Sequence, residues 1–306
     1  MIRSGWDLAA FDLPPVAAAT GPFPDRSFLE TWWTMQDSPP EQLLLAADEN
    51  GLIPAALTAG TVEFVAHEDV TDYHSPRGTV SADLVGSLAA SVPHGTPFRF
   101  DSLPLEAADA MTQALLAHTR HIARTEHEVA AVLGLPATFD DYLMAIGKKE
   151  RHETRRKRRR FTAEIGEPHL VRAAGAEHVR LFANMHRLSS GDKGDFMSEA
   201  MEAFFVALHE RCGAVIDLLA GDDGVPVAAA FGFEDASGYY LYNSAYDPEA
   251  GHASPGVVLV SRLIENVIES GRTTFDFLKG DETYKFRLGA SPRPLYVLEG
   301  QFGNGA

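Results

Sequence analysis

The chain has 306 residues, 45% hydrophobic and 23% charged, with 26 Lys and Arg against 43 Asp and Glu for a net charge of −17. That length accommodates two domains of ordinary size. No apolar run approaches the roughly 18 residues a bilayer requires, which excludes a spanning helix, and the single cysteine, Cys212, excludes an internal disulfide. So negative a charge opposes general attraction to DNA or anionic membrane. With no apolar core in residues 1–7, the expected location is the cytoplasm.

In chain order, Ser27 opens an aromatic helix carrying Phe28, Leu29, Trp32 and Trp33. A hairpin follows over 43–57, two apolar strands joined by an acidic turn ending at Gly51. Next come a strand at 61–66, a loop at 67–78, a helix near 82–90, a strand at 98–101, a helix near 105–118 and a strand near 128–132. A helix over 140–161, capped by Thr138, forms the middle of the chain. Helices near 176–188 and 198–211 come after it, separated by the Gly-rich loop 189–195, which reads as a mobile connection beside a site or as a plain linker. Strands at 215–220, 225–233 and 239–246, a helix over 257–270, and strands at 274–278 and 295–298 complete the pattern. If 282–288 is also a strand, Lys285 and Arg287 share one face, and Tyr284, Phe286 and Leu288 share the other. Cations backed by aromatics make a phosphate- or carboxylate-reading surface; an edge strand with solvated charges is the structural alternative.

The halves repeat one another. The hairpin turning at Gly51 is answered by one turning at Gly224, and Phe98-Arg99-Phe100 by Phe275-Asp276-Phe277, at offsets of about 173 to 179 residues. Solenoid repeats run to roughly 20–50 residues, so this period means two related domains.

Between them lies an extreme of charge. Lys148, Lys149, Arg151, Arg155, Arg156, Lys157, Arg158, Arg159 and Arg160 crowd one helix. Like charges at i, i+4 destabilise a helix, so an anionic ligand or an acidic surface is expected against it, with Lys149, Arg151 and Arg155 as phosphate or substrate contacts. Asp72-Tyr73-His74 places a carboxylate, a phenol and an imidazole in one loop, giving Asp72 and Tyr73 as candidates for proton handling; an Asx turn is the plain reading of Asp72. His118 and His121 lack a third ligand, so no metal site is expected. Nucleophile-elbow, Walker and dinucleotide motifs are absent.

In the second half a hairpin, a third strand, a Gly-bearing loop opening a long helix and a further strand follow the order that surrounds the cofactor site of GNAT acyltransferases. There a helix N-terminus holds the pyrophosphate of coenzyme A with free amides, a general property of helix starts. Ser254 suits an N-cap, Pro255 the first turn and Gly256 a close approach, so Ser254, Pro255, Gly256 and Val257 are the candidate cofactor contacts.

Motifs across roughly residues 21–298 resemble the CelD-type acetyltransferases, a GNAT branch similar to the tandem-domain Fem aminoacyltransferases. They are Tyr142-Leu143, Lys148-Lys149, Arg151, Arg155-Arg156 and Arg159-Arg160, then Tyr246-Asp247-Pro248, Ser254-Pro255-Gly256, Phe275-Asp276-Phe277-Leu278, Gly280-Asp281-Glu282 and Tyr284-Lys285-Phe286-Arg287. The resemblance implies an α/β fold of tandem GNAT-like lobes, mixed sheets flanked by helices, joined by the basic helix: 1–137 a degenerate lobe, 138–162 the connector, 163–306 the donor lobe. It implies acyl-CoA, most simply acetyl-CoA, as donor and an amino group on a sugar, nucleotide-sugar or small metabolite as acceptor, held between the lobes. Tyr284 and Lys285 join the catalytic candidates, Lys279 and Arg287 the cofactor contacts, and Asp247 the substrate contacts. The alternatives are a Fem-like aminoacyltransferase using charged tRNA, or a non-catalytic protein whose basic helix docks an acidic partner.

Overall fold

The computed structural model describes residues 1–36, 40–189 and 192–303. Backbone contacts divide it into two units, Met1–Ala130 with Arg293–Ala306, and Ala131–Pro292.

The first unit begins with β1 (Ile2–Arg3) and α1 (Arg26–Thr34), the latter starting from Asp25 so that Ser27 lies inside the first turn. The hairpin forms β2 (Gln42–Ala47) and β3 (Gly51–Thr58). The Asp48 carboxylate closes its turn, accepting from the amides of Asn50 at 2.8 Å and Gly51 at 2.9 Å. Then come β4 (Thr61–Phe64), β5 (Arg77–Gly78), α2 (Ala82–Ala89), β6 (Pro97–Leu103), α3 (Leu105–Leu115) and β7 (Thr119–Gly134), within which the division falls. β1 to β4 are antiparallel in succession, and β6 lies parallel to β4. Leu44, Ile53, Phe64, Leu84, Leu88, Phe98, Phe100 and Met111 form the core, drawn from strand alternation and the apolar stripes of α2 and α3.

The second unit opens with α4 (Phe139–Ala145) and α5 (Lys148–Glu164). The expected single helix over 140–161 is therefore two. Ile146 turns extended and drops into the core, and the Arg151 guanidinium donates to the Leu143 carbonyl at the end of α4, at 3.1 Å. There follow β8 (His169–Ala173), α6 (Ala176–Arg187), α7 (Asp192–Phe196), α8 (Glu199–Cys212), β9 (Val215–Ala220), β10 (Pro226–Glu234), β11 (Gly238–Tyr246), α9 (Pro255–Glu269), β12 (Thr274–Lys279) and α10 (Thr283–Arg287). β13 (Ser291–Phe302) leaves this unit and pairs antiparallel with β6. α7 occupies part of the segment expected as the loop 189–195; Ser190 and Gly191 lie outside the described residues.

β8 to β11 are antiparallel in succession, and β12 runs parallel to β11. One face of the sheet packs on α6 and α8 through rings, Phe205 lying 4.6 Å from Phe231 and 5.7 Å from Phe182. The other face, alternating with the first, packs Ala228, Ala230 and Tyr239 on Val258, Leu259, Leu263, Ile264 and Val267 of α9. Burying such side chains contributes about 1.5–3 kcal/mol each, which makes α9 a firm platform for whatever its N-terminus holds. α5 packs on the outside of α9, where Arg158 reaches Glu265 at 2.8 Å.

The repeat seen in the sequence is a repeat of topology. β2, β3, β4, α2 and β6 follow the same path as β9, β10, β11, α9 and β12: three antiparallel strands, a helix, and a strand returning parallel to the third.

Candidate functional site

The two copies differ where their parallel strands part. In the second unit the pairing of β11 with β12 runs from Gly238↔Thr274 to Tyr240↔Asp276, while β11 continues to Tyr246 and β12 to Lys279. A β-bulge sits just past the point of parting. Phe231 pairs with Asn243 and Gly232 with Leu241, so Tyr242 is the extra residue. A bulge unpairs a residue and turns the strand, which is how such strands re-aim groups beside a site. Next to it the Asn243 side-chain oxygen accepts from His186 Nε2 at 3.2 Å and from the Ser244 amide at 2.7 Å. This polar pair and the bulge were not foreseen, because nothing in an apolar strand run marks where the register slips.

The start of α9 lies in the same unit. Asp247 caps the short turn Pro248–Ala253, one oxygen of its carboxylate accepting from the Glu249 amide at 2.9 Å. Ser254 then adopts φ 59° and ψ 47°, left-handed, and its hydroxyl does not cap the helix. That corrects its expected role as an N-cap. Elsewhere Ser81, Thr138 and Ser198 each cap their helices, accepting from the amides of Leu84, Asp141 and Met201. Pro255 has no amide hydrogen and the Val257 and Val258 amides bond the Ser254 carbonyl at 3.2 and 3.3 Å, so among the described residues the Gly256 amide is the donor left at the start of α9, together with the partial positive charge of the helix end. Among the described residues a Cβ on Gly256 would touch the Tyr246 ring alone, at 3.4 Å, so a ligand can approach this backbone closely.

In the first unit the corresponding features are closed. α2 is capped by Ser81. Where β4 and β6 part, the His74 ring lies between them: Nε2 is 3.2 Å from the Ala66 carbonyl, and Nδ1 is 3.0 Å from the Asp101 carbonyl and 3.1 Å from its carboxylate. Phe64 stacks on the ring at 5.0 Å. Burial pushes the Asp101 carboxyl up, but the His74 charge, hydrogen bonds from His74 and Ser102, and the Arg99 charge outweigh it and hold the group far below the usual carboxylate range. Breaking such a buried pair costs about 3–5 kcal/mol, so His74→Ala is expected to lower unfolding free energy by that amount in urea denaturation. Because the folded-state pKa lies below the unfolded value of about 3.9, Asp101 stabilises the fold above about pH 4, and the contribution is lost as pH falls.

After β12 the chain departs from the strand expected at 282–288. It forms α10, so residues two apart do not share a face: Lys285 is buried and Arg287 exposed. The Lys285 ammonium donates to the Lys279 carbonyl at 2.5 Å, to the Glu282 carboxylate at 2.8 Å and toward the Gly280 carbonyl at 3.4 Å. Tyr284 packs edge-on against Phe277 of β12 at 6.2 Å and is 46% exposed. Partial burial, with the Glu282 carboxylate adding to it, pushes its phenol up to about 12, so it keeps its proton throughout the neutral range.

The remaining candidates are dispersed. Tyr73 is wholly buried in the first unit, against Phe23 and under Arg293, which leaves no surface for a substrate; Asp72 beside it is half-buried. Pro255 is buried, while Val257 and Lys279 are half-buried. Arg151 serves the end of α4, whereas Lys149 and Arg155 are exposed. The outward stripe of α5 is Lys148, His152, Arg155 and Arg159, at i, i+4, i+7 and i+11; its three basic side chains make no hydrogen bond or ion pair among the described residues. Among the described residues no group of His, Cys, Asp and Glu is arranged to hold a metal, and no helix is long and apolar enough to cross a membrane.

Residues 148–286 match the acetyltransferase (GNAT) domain family. No curated protein matches the chain. Among solved structures it is similar to a conserved protein of unknown function from Bacteroides thetaiotaomicron, at 13% identity and a TM-score of 0.67, covering 98% of this chain and 99% of that one. It is also similar to FemX, at 12% identity and a TM-score of 0.60, covering 94% and 93%, and to L-PGS from Bacillus licheniformis, at 14% identity and 0.59, covering 91% and 92%. At such identities the likeness is one of fold: α/β, with tandem GNAT-like lobes of mixed sheet flanked by helices.

Proposed function

We propose that this chain, which carries a GNAT acetyltransferase domain at residues 148–286, is a CelD-type N-acyltransferase moving an acyl group, most simply acetyl, from acyl-CoA to an amino group of a sugar, nucleotide-sugar or small metabolite. The observation that carries the reading is the parting of β11 from β12 beside the bulge at Tyr242, in the unit whose α9 starts uncapped. Parted parallel strands offer an extended ligand two rows of backbone partners. The start of α9 offers the Gly256 amide and the positive end of the helix to its pyrophosphate, with Arg287 and Lys279 as further cations. The first unit, bridged by His74 and capped by Ser81, takes no donor on this reading.

In the reaction the neutral amine attacks the thioester carbonyl, a C–N bond forms, the C–S bond breaks, and the nitrogen loses a proton. The departing thiolate needs a proton or a hydrogen bond in return. Tyr284, protonated at neutral pH and packed on Phe277 just past the last paired residue of β12, is the group assigned to it. Incubating the chain with acetyl-CoA and a panel of amino sugars, with mass detection of the N-acetyl product, tests the proposal; no product from any acyl-CoA contradicts it.

The outward stripe of α5 favours a second reading, a donor carried on tRNA. Charge reversal of Lys148, Arg155 and Arg159 separates the two. A nucleic-acid donor would lose binding, and its affinity would follow salt with a slope of about −0.7 to −0.9 per phosphate contacted. With acyl-CoA as donor, the triple variant is expected to keep the donor Kd within about 3-fold, since exposed charges at a distance are screened. Filter binding of tRNA at two salt concentrations decides: salt-sensitive, micromolar binding sinks the small-donor reading.

A further inference from the structure

We infer that Lys285 is a positioning residue, which holds the Lys279–Glu282 turn and through it sets Tyr284; the inference rests on the role just proposed for Tyr284. An ammonium has three donors, and each of those on Lys285 faces an oxygen of this short segment: the Lys279 carbonyl at 2.5 Å, the Glu282 carboxylate at 2.8 Å and the Gly280 carbonyl at 3.4 Å. The residue is only 4% exposed. No donor remains to read a phosphate or a thioester oxygen, so direct contact with donor or acceptor would require breaking this arrangement.

The turn is shaped around the cation. Gly280 stands at φ 117°, a conformation side chains rarely adopt, and a Cβ there would lie 2.8 Å from the Lys285 nitrogen. Two residues earlier, Leu278 also has a positive φ, 60°, with its amide donating to the Asp276 carboxylate at 2.7 Å. A strained residue such as Leu278 persists only where its surroundings over-determine it; here the buried ammonium ties together the Lys279 and Gly280 carbonyls that follow. Tyr284 is the immediate neighbour of Lys285 in α10, a helix of five residues too short to hold its own geometry. The orientation of the phenol is therefore a consequence of the ammonium.

The test uses the full chain with Lys285→Met, Glu282→Gln and each combined with Tyr284→Phe. Misplacing a reacting group by about 1 Å costs on the order of 10²-fold, so Lys285→Met is expected to lower kcat about 10²-fold with KM for acetyl-CoA within about 3-fold. Backbone amides of residues 279–288 should exchange with deuterium about tenfold faster, without ligand. On the Tyr284→Phe background Lys285→Met should cost less than about 3-fold further, because it acts through the group already removed. Glu282→Gln, which keeps the two carbonyl contacts, should move exchange and kcat in the same direction by less. Undiminished protection of 279–288 in Lys285→Met overturns the inference, as does a full, independent loss of kcat on the Tyr284→Phe background. The exchange measurement needs no substrate, so an inactive wild-type chain with the predicted exchange would refute the assigned reaction and leave the anchoring of the turn standing.

Discussion

Tyr284→Phe is expected to lower kcat for acyl transfer about 10²-fold, the usual cost of removing one hydrogen-bond donor from a developing anion. KM for acetyl-CoA should change little, since the phenol interacts with the thiolate only as the C–S bond breaks. Folding should be preserved, because the ring remains against Phe277 and only an exposed residue's hydroxyl is lost. With a phenol pushed up to about 12, the wild-type rate should show no downward limb from this group between pH 6 and 10. Steady-state kinetics across that range check both statements, and a kcat within about twofold of wild type would remove Tyr284 from the reaction.

The second large effect concerns Gly256. Gly256→Asp places a carboxylate at the start of α9, where among the described residues a side chain meets the Tyr246 ring alone. Its charge would stand against the pyrophosphate, and like charges about 4 Å apart at an effective dielectric near 20 repel by about 4 kcal/mol. Donor affinity is expected to fall at least about 10²-fold. Stability should move the other way, because an acidic residue in the first turn of a helix contributes about 0.3–1 kcal/mol and replacing a helical glycine a similar amount. A more stable protein that no longer binds its donor distinguishes loss of a site from loss of a fold. Thermal denaturation with and without acetyl-CoA reads both.

Local pattern carried most of the fold. The hairpins turning at Gly51 and Gly224 and the apolar stripes of α2 and α9 are encoded within a few residues of themselves, and so they stood out. The remainder depends on side-chain contacts and backbone turns that residue type alone does not mark. Tyr284 to Leu288 alternates like a strand, yet it lies on a helical turn whose Lys285 points back onto oxygens of Lys279, Gly280 and Glu282. The break between α4 and α5 follows from Arg151 reaching back to Leu143. Ser254 has the composition of a cap and the wrong backbone for one. Tyr73 stands between Asp72 and His74 in a polar loop, yet its ring is wholly buried against Phe23 and under Arg293, contacts that the loop's own residues do not announce. The closure of the first unit could not be seen in advance either, since His74 and Asp101 are far apart in sequence and meet only where β4 leaves β6.

The two copies are asymmetric: His74 fills the gap in the first unit, and on the proposed function the second unit receives the donor. Isothermal titration of a non-hydrolysable acetyl-CoA analogue into the wild-type chain and into Gly256→Asp tests it most directly. The expected result is one site per chain, abolished by the substitution. Two sites per chain, or one site indifferent to Gly256→Asp, would contradict it.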